Sequence, residues 1–402
     1  MQKGRENKPH IGIFGKRNNG KSSFINALAG QDTAIVSETP GTTTDPVKKS
    51  MEISKIGPVI IIDTAGIDDS GTLGEKRIAK SMAAIDIIDL AILVITDDKL
   101  DQYEESLVDN FTKYNTPFVI VHNKSDIFCL NEEQTSCLAQ RYNTEVVNFS
   151  CIKPDNKEQV INVLRKAIPA NVYNASSILS PIVSKNDLVL LITPIDSGAP
   201  EGRMILPQVQ MIRDVLDNDA ICVVAKETEV ENLIKTLCPK PKLAITDSQV
   251  FEKANRLIPD DILLTSFSTV LARYKGNFSQ YLQGTKKISQ LVDNDKVLIL
   301  ESCTHHASCE DIGRVKLPTW LKKFTGKKLE FDIVAGLNDL PHNLESYALV
   351  IQCGGCVVTK TQLQKRLQKA IDAKVAVTNY GMAIAWMHGI YERAIEPFKD
   401  VT

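Results

Sequence analysis

The sequence has no run approaching the ~18 apolar residues of a membrane-spanning helix, and its opening stretch, MQKGRENKPH, lacks the apolar centre of a secretion signal. The expectation is a cytoplasmic protein with no membrane partner. Charge of one sign is also missing: 47 Lys and Arg stand against 49 Asp and Glu, a formal net charge of -2. No global positive field would hold tRNA or DNA, and nucleic acid is not expected as a partner. No low-complexity tract and no internal repeat are visible. An even cysteine set is absent too; nine cysteines without a secretion signal argue for free thiols or metal ligands over a disulfide framework. What is present is 402 residues, 43% of them hydrophobic, enough for two or three separately cored domains and too apolar for a disordered chain.

Short apolar runs at 10–15, 58–63, 89–96, 117–122 and 145–149 read as buried parallel strands, with helical patterns between them at 20–29, 75–86, 102–114, 132–142 and 156–168. Strand alternating with helix predicts an α/β, doubly wound sheet, here a domain over 1–172. The turn-rich stretch 169–186 reads as a linker. A second α/β domain, 173–266, has strands at 187–193, 219–225, 241–246 and 261–265 and helices at 207–217, 227–237 and 247–258. It carries no catalytic motif, so association is its expected role. A third, 267–402, opens with a long helical pattern and continues with strands at 296–301, 329–334, 346–352 and 374–378 and helices at 360–373 and 381–390.

Gly15 to Ser22 reads GKRNNGKS, a G-x-x-x-x-G-K-S phosphate loop between a strand and a helix. Its glycines, with Asn18, Asn19, Gly20 and Ser23 around them, let backbone N–H groups face phosphates. Lys21 would reach the outer phosphates, Ser22 would hold Mg, and the helix N-terminus adds its dipole. Asp63-Thr64-Ala65-Gly66 closes a second strand, where Asp63 reaches Mg through water and Gly66 offers its N–H to a terminal phosphate. Asn123-Lys124-Ser125-Asp126 closes a third, and the Asp126 carboxylate suits the two donors of guanine rather than adenine. Ser150-Cys151 closes the last, with a backbone N–H for the guanine carbonyl. Four motifs in order at four strand ends point to GTP hydrolysis with Mg.

These residues resemble the potassium-dependent branch of the translation-factor-like GTPases over 8–170. Pro40-Gly41-Thr42-Thr43-Thr44-Asp45 is similar to that group's switch segment, with Thr43 at the Mg-binding threonine and Thr44 in place of the usual arginine. The resemblance puts Asn18 at a potassium ligand, although an asparagine there also suits turn geometry. Ile67 follows Gly66 where Ras-like proteins have a water-orienting glutamine, so water must be positioned otherwise.

Cys303-Thr304-His305-His306 follows one late strand, and Cys353-Gly354-Gly355-Cys356 follows another. Carboxyl ends of strands are where α/β folds place ligands. Two glycines inside CxxC free backbone N–H groups to point at sulfur, and a single metal site would gather Cys303, Cys353, Cys356 and a fourth ligand. Zinc and an iron–sulfur cluster both accept this set; a redox dithiol at Cys353 and Cys356 is a third reading. Burial as small hydrophobes is the bland alternative, to which Cys129, Cys137 and Cys309 are assigned.

Taken whole, the chain resembles the HydF family of FeFe-hydrogenase maturation GTPases. That family's cluster signature is CxH, a spacer and HCxxC; here it reads Cys303-Thr304-His305, forty-six residues, then Gln352-Cys353-Gly354-Gly355-Cys356. Gln352 replaces the second histidine, leaving His305 as first choice for the fourth ligand, with Glu310 and Asp311 nearby. The resemblance implies a GTPase domain, a dimerisation domain and a domain holding a 4Fe-4S cluster. It implies a scaffold, at least dimeric, that receives a diiron precursor made with radical-SAM maturases and delivers it to apo FeFe-hydrogenase. The competing reading from another class is an RNA- or ribosome-associated GTPase with structural zinc.

Overall fold

In a computed structural model of the chain, the residues described are 8–29, 36–38, 47–64, 82–169, 177–194, 204–302 and 312–399. By contacts they fall into two compact units, Met1–Ala175 and Ser176–Thr402.

The first unit is a seven-stranded sheet. Its strands are β1 (His10–Phe14), β2 (Val36–Glu38), β3 (Val47–Ile53), β4 (Gly57–Asp63), β5 (Leu90–Ile95), β6 (Phe118–His122) and β7 (Val146–Asn148), in the order β2-β3-β4-β1-β5-β6-β7. Helices α1 (Lys21–Ala29), α2 (Gln102–Lys113) and α3 (Glu132–Tyr142) lie between them in sequence, and α4 (Lys157–Ala167) follows β7. β1 pairs in parallel with β4 and β5, and β5, β6 and β7 continue in parallel. Alternation along β1 and β5 feeds two cores: Ile11, Ile13, Ile92 and Val94 pack with Phe24 and Phe149, while Phe14, Leu93 and Ile95 pack with Leu107 and Phe111. Every residue of β5 is buried, which is why its sequence, LAILVI, is continuously apolar.

One departure from the sequence reading is that β3 and β4 are antiparallel, as are β2 and β3. The strand VKKSMEI escaped the reading because its exposed Lys48 and half-buried Lys49 break any apolar run. α2 and α3 begin where capping chemistry places them, with Asp101 and Glu104 forming one reciprocal cap and Asn131 and Gln134 another.

The second unit holds two four-stranded parallel sheets. The first contains β8 (Leu188–Ile192), β9 (Ile221–Ala225), β10 (Leu243–Thr246) and β11 (Leu263–Ser266), ordered β11-β10-β8-β9. The second contains β12 (Lys296–Leu300), β13 (Glu330–Val334), β14 (Tyr347–Gln352) and β15 (Ala376–Asn379), ordered β13-β12-β14-β15. The helices are α5 (Leu206–Asp217), α6 (Val230–Thr236), α7 (Phe251–Leu257), α8 (Phe267–Lys275), α9 (Phe278–Thr285), α10 (Leu317–Thr325), α11 (Lys360–Asp372), α12 (Tyr380–Met387) and α13 (Tyr391–Ile395). The long helical pattern expected from residue 267 breaks at Gly276-Asn277 into α8 and α9. There Tyr281 packs so closely that a Cβ on Gly276 would lie 2.3 Å from its ring, and Asn277 caps α9. α10 adds a helix to those expected from the sequence.

The two sheets are a structural repeat, which corrects the sequence reading that saw none. Starting from the β9 and β13 edges, both have the first strand second in line and the last strand at the far edge. The ladders match: Ile192 aligns with Thr246 and Thr246 with Ser266, as Leu300 aligns with Gln352 and Gln352 with Asn379. Even the turns correspond. Asn186 and Asn294 precede β8 and β12 with φ of 67° and 70°, and Asp187 and Asp295 accept the N–H groups of Ser184 (2.7 Å) and Val292 (2.9 Å). Ser266 and Asn379 cap the helices that follow the last strands, α8 and α12.

The helices after these are exchanged. On α9, Thr285 bonds Thr378 of β15 at 2.6 Å and Gly284 lies so close that a Cβ would sit 2.0 Å from the Val377 carbonyl oxygen. Reciprocally, Thr265 of β11 donates to the Ala394 carbonyl of α13 at 2.8 Å. One apolar core therefore runs through both sheets, from Leu190 and Leu264 to Leu298, Val350 and Val377. The repeat hides in the sequence because buried strand positions demand only apolar character.

Candidate functional site

In the first unit, the loop after β1 is shaped by two glycines. Gly15 has φ +135° and a Cβ there would lie 2.2 Å from the Val94 carbonyl oxygen; Gly20 has φ +85° and its Cβ would lie 2.4 Å from Asn123 Nδ2. Neither position admits a side chain. Asn18 takes a left-handed φ of 64° and is exposed. The buried Asn19 donates to the Val94 carbonyl at 2.8 Å, and its own carbonyl accepts Asn123 Nδ2 at 2.8 Å. This pair ties the phosphate loop to the ends of β5 and β6.

Lys21 opens α1 with Nζ 2.8 Å from both the Gly15 and Lys16 carbonyl oxygens. Ser22 and Ser23 are exposed on the first turn, and the Ser22 hydroxyl reaches Asp63 Oδ2 at 3.5 Å. Burial pushes the Asp63 carboxyl above its ordinary range, opposed by the charges of Lys21 and Lys49 and by the Ser22 hydroxyl. Thr64 anchors the end of β4 by donating to the Ile13 carbonyl at 2.6 Å.

At the other end of the site, Lys124 has φ 61° and the Ser125 N–H bonds the Phe149 carbonyl at 3.0 Å, which brings the loops after β6 and β7 together. Ser150 donates to Asp126 Oδ1 at 2.5 Å and accepts the N–H groups of Ile152 and Lys153. Cys151 donates to Asn123 Oδ1 at 3.3 Å, and burial raises its thiol pKa. Thus Gly15, Asn18, Asn19, Gly20, Lys21, Ser22, Ser23, Asp63, Asn123, Lys124, Asp126, Ser150 and Cys151 all lie at the carboxyl end of one sheet. Thr43 and Gly66 lie outside the described residues, as do the rest of 40–45 and Ile67. Sequence reasoning missed Lys49, because its strand was missed, and Thr96, whose hydroxyl reaches Asn19 Oδ1 at 3.4 Å.

In the second unit, Cys353 leaves β14 half-buried beside the end of β12. Its sulfur accepts the Ser302 N–H at 3.1 Å and the Gln352 amide at 3.4 Å, and contacts the Ser302 hydroxyl at 3.1 Å. Gly355 has φ +66°, and Cys356 is half-buried after it. Gln352 is buried and directs its Nε2 to Ser302 Oγ at 3.0 Å; its Oε1 has no hydrogen-bond partner among the described residues. Next to these strand ends, Glu301 accepts Arg314 Nε at 3.0 Å, and Asn379 at the end of β15 donates to the Gln352 carbonyl at 3.2 Å.

Cys303 and His305 lie outside the described residues, with His306, Cys309, Glu310 and Asp311. Among the described residues no three His, Cys, Asp or Glu side chains group closely enough to hold a metal. Cys129 and Cys137 are exposed, not buried as small hydrophobes, because they sit on the solvent side around α3.

Residues 178–276 match the hydrogen maturase F dimerization domain and residues 279–397 the hydrogen maturase F tetramerization domain. Together these take in more than half of the chain. The chain belongs to the hydrogen maturase F family. Within this hydrogen maturase F chain, residues 10–124 match a further family, the 50S ribosome-binding GTPases.

The same N-terminal part is 40% identical over 116 residues to the tRNA modification GTPase MnmE of Nitrosomonas europaea, covering 29% of this chain and 26% of that protein. It is 35% identical over 142 residues to the GTPase Der of Kosmotoga olearia, covering 34% of this chain and 31% of that one. The chain thus spans about a quarter to a third of the length of these relatives. Among solved structures it is similar to Aquifex aeolicus Era (17% identity, 54% of this chain and 92% of that chain, TM-score 0.34). It is also similar to the G domain of the Thermotoga maritima FeoB iron transporter (20% identity, 40% and 99%, TM-score 0.33). No helix among the described residues is long and apolar enough to cross a membrane.

The described residues offer partial donor sets for the groups expected from the sequence, an oxygen pair for Mg and a cysteine pair for a cluster, with Thr43, Cys303 and His305 outside them. Ser22 and Asp63 face each other across a gap suited to a small hard cation. The Cys353 sulfur is met by a backbone N–H and a side-chain amide, donors of the kind that surround a metal-bound sulfur.

Proposed function

We propose that this chain is a GTP-hydrolysing scaffold for maturation of FeFe-hydrogenase. It would receive a diiron precursor made with radical-SAM maturases and pass it to the apo-hydrogenase. The observation that carries this reading is the coexistence of a GTPase sheet with two hydrogen maturase F domains in one chain.

In the first unit, Lys21 and the amides at the start of α1 take the outer phosphates, Gly66 adds an N–H, and Ser22, Thr43 and Asp63 hold Mg. When bound, Mg neutralises charge developing on the phosphates. Asp126 selects guanine, oriented by Ser150, while the Cys151 backbone N–H takes the guanine carbonyl. Asn18 would ligate potassium, replacing the help of an arginine finger and making turnover faster in KCl than in NaCl at equal ionic strength. In the second unit, Cys303, Cys353 and Cys356 hold a 4Fe-4S cluster, with His305 as an exchangeable fourth ligand. When bound, the cluster offers one iron with a displaceable ligand to incoming metal species.

Homo-oligomerisation, which the matched dimerization and tetramerization domains support, also has a physical basis in the edge strand β9. Its Ile221 and Val224 are 49% and 42% exposed, and Val209 on α5 is exposed as well. Covering such residues in a partner contributes about 1–2 kcal/mol each. The division of the second unit into an association module and a cluster-binding module is part of this proposal, as is a cytoplasmic location.

The test is anaerobic purification of the full chain followed by activation of apo FeFe-hydrogenase. Brown protein absorbing near ~400 nm that activates the apo-enzyme only when loaded supports the reading. Colourless, zinc-bearing protein with no effect on the apo-enzyme refutes it. Loss of GTP binding in Lys21→Ala and a shift to xanthosine nucleotides in Asp126→Asn check the nucleotide half.

A further inference from the structure

Lys275, the last residue of α8, is only 5% exposed and lies far from the cysteine motif in sequence. Its Nζ lies 2.9 Å from the Gly355 carbonyl oxygen, 3.4 Å from that of Cys356 and 3.0 Å from that of Val358. These three carbonyls belong to the turn that carries both cysteines of the CxxC motif. α8 belongs to the first repeat of the second unit and the turn to the second, so the contact crosses between the halves. The matched position in the other direction is occupied as well: His388, one residue past α12, has Nδ1 3.5 Å from Glu252 Oε2, at the corresponding place in the first repeat. A cross-contact at this point is therefore a feature of the repeat, and on one side it has become a buried ammonium under a thiol-bearing turn.

We propose that Lys275 is a positioning residue for the cluster: it fixes the 353–358 turn through its carbonyls and sets a positive charge against the thiolate side of the site. This rests on the cluster reading above. The chemistry requires both parts. A Gly-Gly turn has little stiffness of its own, because glycine costs the most backbone freedom to order. Three hydrogen bonds from one ammonium hold the Gly355, Cys356 and Val358 carbonyls and so fix the course of the turn. A desolvated cation is in turn most favourable beside an anion, and two cysteine thiolates on an iron cluster supply negative charge. The residue that holds the turn thus comes from the part of the chain matched as a dimerization domain, whereas both cysteines lie in the part matched as a tetramerization domain.

The experiment uses the full chain, reconstituted anaerobically with ferrous iron and sulfide, as wild type, Lys275→Met and Lys275→Arg. Iron release to a ferrous chelator is timed, and the cluster potential is measured. Lys275→Met is expected to release iron about tenfold to a hundredfold faster, the usual effect of losing an outer-shell partner. Its potential should move to a more negative value, because removing a positive charge favours the oxidised cluster. Lys275→Arg keeps the charge with a different fork, so its potential stays near that of wild type while its release rate rises. Wild-type release and potential in a folded Lys275→Met protein overturn the proposal. If that variant does not fold by circular dichroism, Lys275→Gln and Lys275→Arg carry the test, and wild-type release rates in both overturn it. A wild-type chain that takes up no iron sinks the cluster reading itself. The turn is then read by limited proteolysis within 353–358, where cleavage no faster in Lys275→Met than in wild type refutes the clamp and faster cleavage in the variant supports it.

Discussion

The two repeats of the second unit have the same strands in the same order, yet their carboxyl ends are chemically different. Where the first sheet ends in Thr246, Asp247 and Ser248, the second ends in Gln352, Cys353 and Gly354. Asp247 accepts the Gln249 N–H at 2.9 Å, so the chain turns at once into a 3-10 turn and α7. After Gln352 the chain instead makes an open turn through Gly355 and does not enter α11 until Thr359 caps it. Thr246 and Gln352, at matched positions, are both buried, and each keeps a polar atom without a partner among the described residues. The difference teaches that buried strand residues define this fold, while the few residues just past the strands are where the two copies differ in chemical character. That division matches the general placement of ligands at the carboxyl ends of parallel sheets.

The largest expected effect breaks the comparison outright. Cys353→Ser should abolish iron incorporation, measured as iron and sulfide per chain after reconstitution, whereas Asp247→Ser at the matched position should leave iron content unchanged. Iron loss in both would mean that the two ends act as one site.

Next in size is a pH effect on the edge strand of the first repeat. Burial pushes the Cys222 thiol up to about 11, while Cys129, Cys137 and Cys238 are exposed. Alkylation needs the thiolate, so at pH ~8 Cys222 should react roughly a hundredfold more slowly than an ordinary thiol, its rate climbing until about pH 11. Peptide mass mapping after timed labelling checks this, and in denaturant the difference should vanish. Equal labelling in the native chain would show that β9 is not packed as described.

A third test concerns the turn itself. Gly355→Ala places a side chain at φ +66° with Leu363 Cδ1 2.3 Å from the new Cβ, and should cost about 2 kcal/mol of stability. Gln249→Ala at the matched position loses only the hydrogen bond from Lys316 at 2.7 Å, about 1 kcal/mol. Urea melts of the full chain should rank the two in that order.

The smallest effect sharpens what the halves share. Thr265→Val and Thr378→Val each remove a buried hydroxyl that ties a strand to the exchanged helix, and each should cost about 1–2 kcal/mol by the same melts. A large effect in one and none in the other would break the reciprocity.

By itself the sequence determined the elements whose causes are local. The apolar runs of β1, β5, β12 and β14 announced buried parallel strands, and GKRNNGKS announced a glycine-shaped loop, because a strand followed by glycines and a helix start is a short-range pattern. The positions of Asp63, Asn123 and Ser150 at or just past the ends of β4, β6 and β7 follow from the same short-range pattern. Tertiary structure alone decided the rest. β3 carries lysines that hide it, and only pairing with β4 makes it a strand. The repeat was invisible because Leu, Ile and Val substitute freely in a core, so that two copies of one fold keep little identity. Lys275 was invisible as well: its ammonium meets carbonyls some eighty residues further along, and a backbone oxygen leaves no trace in the sequence of the residue that bears it.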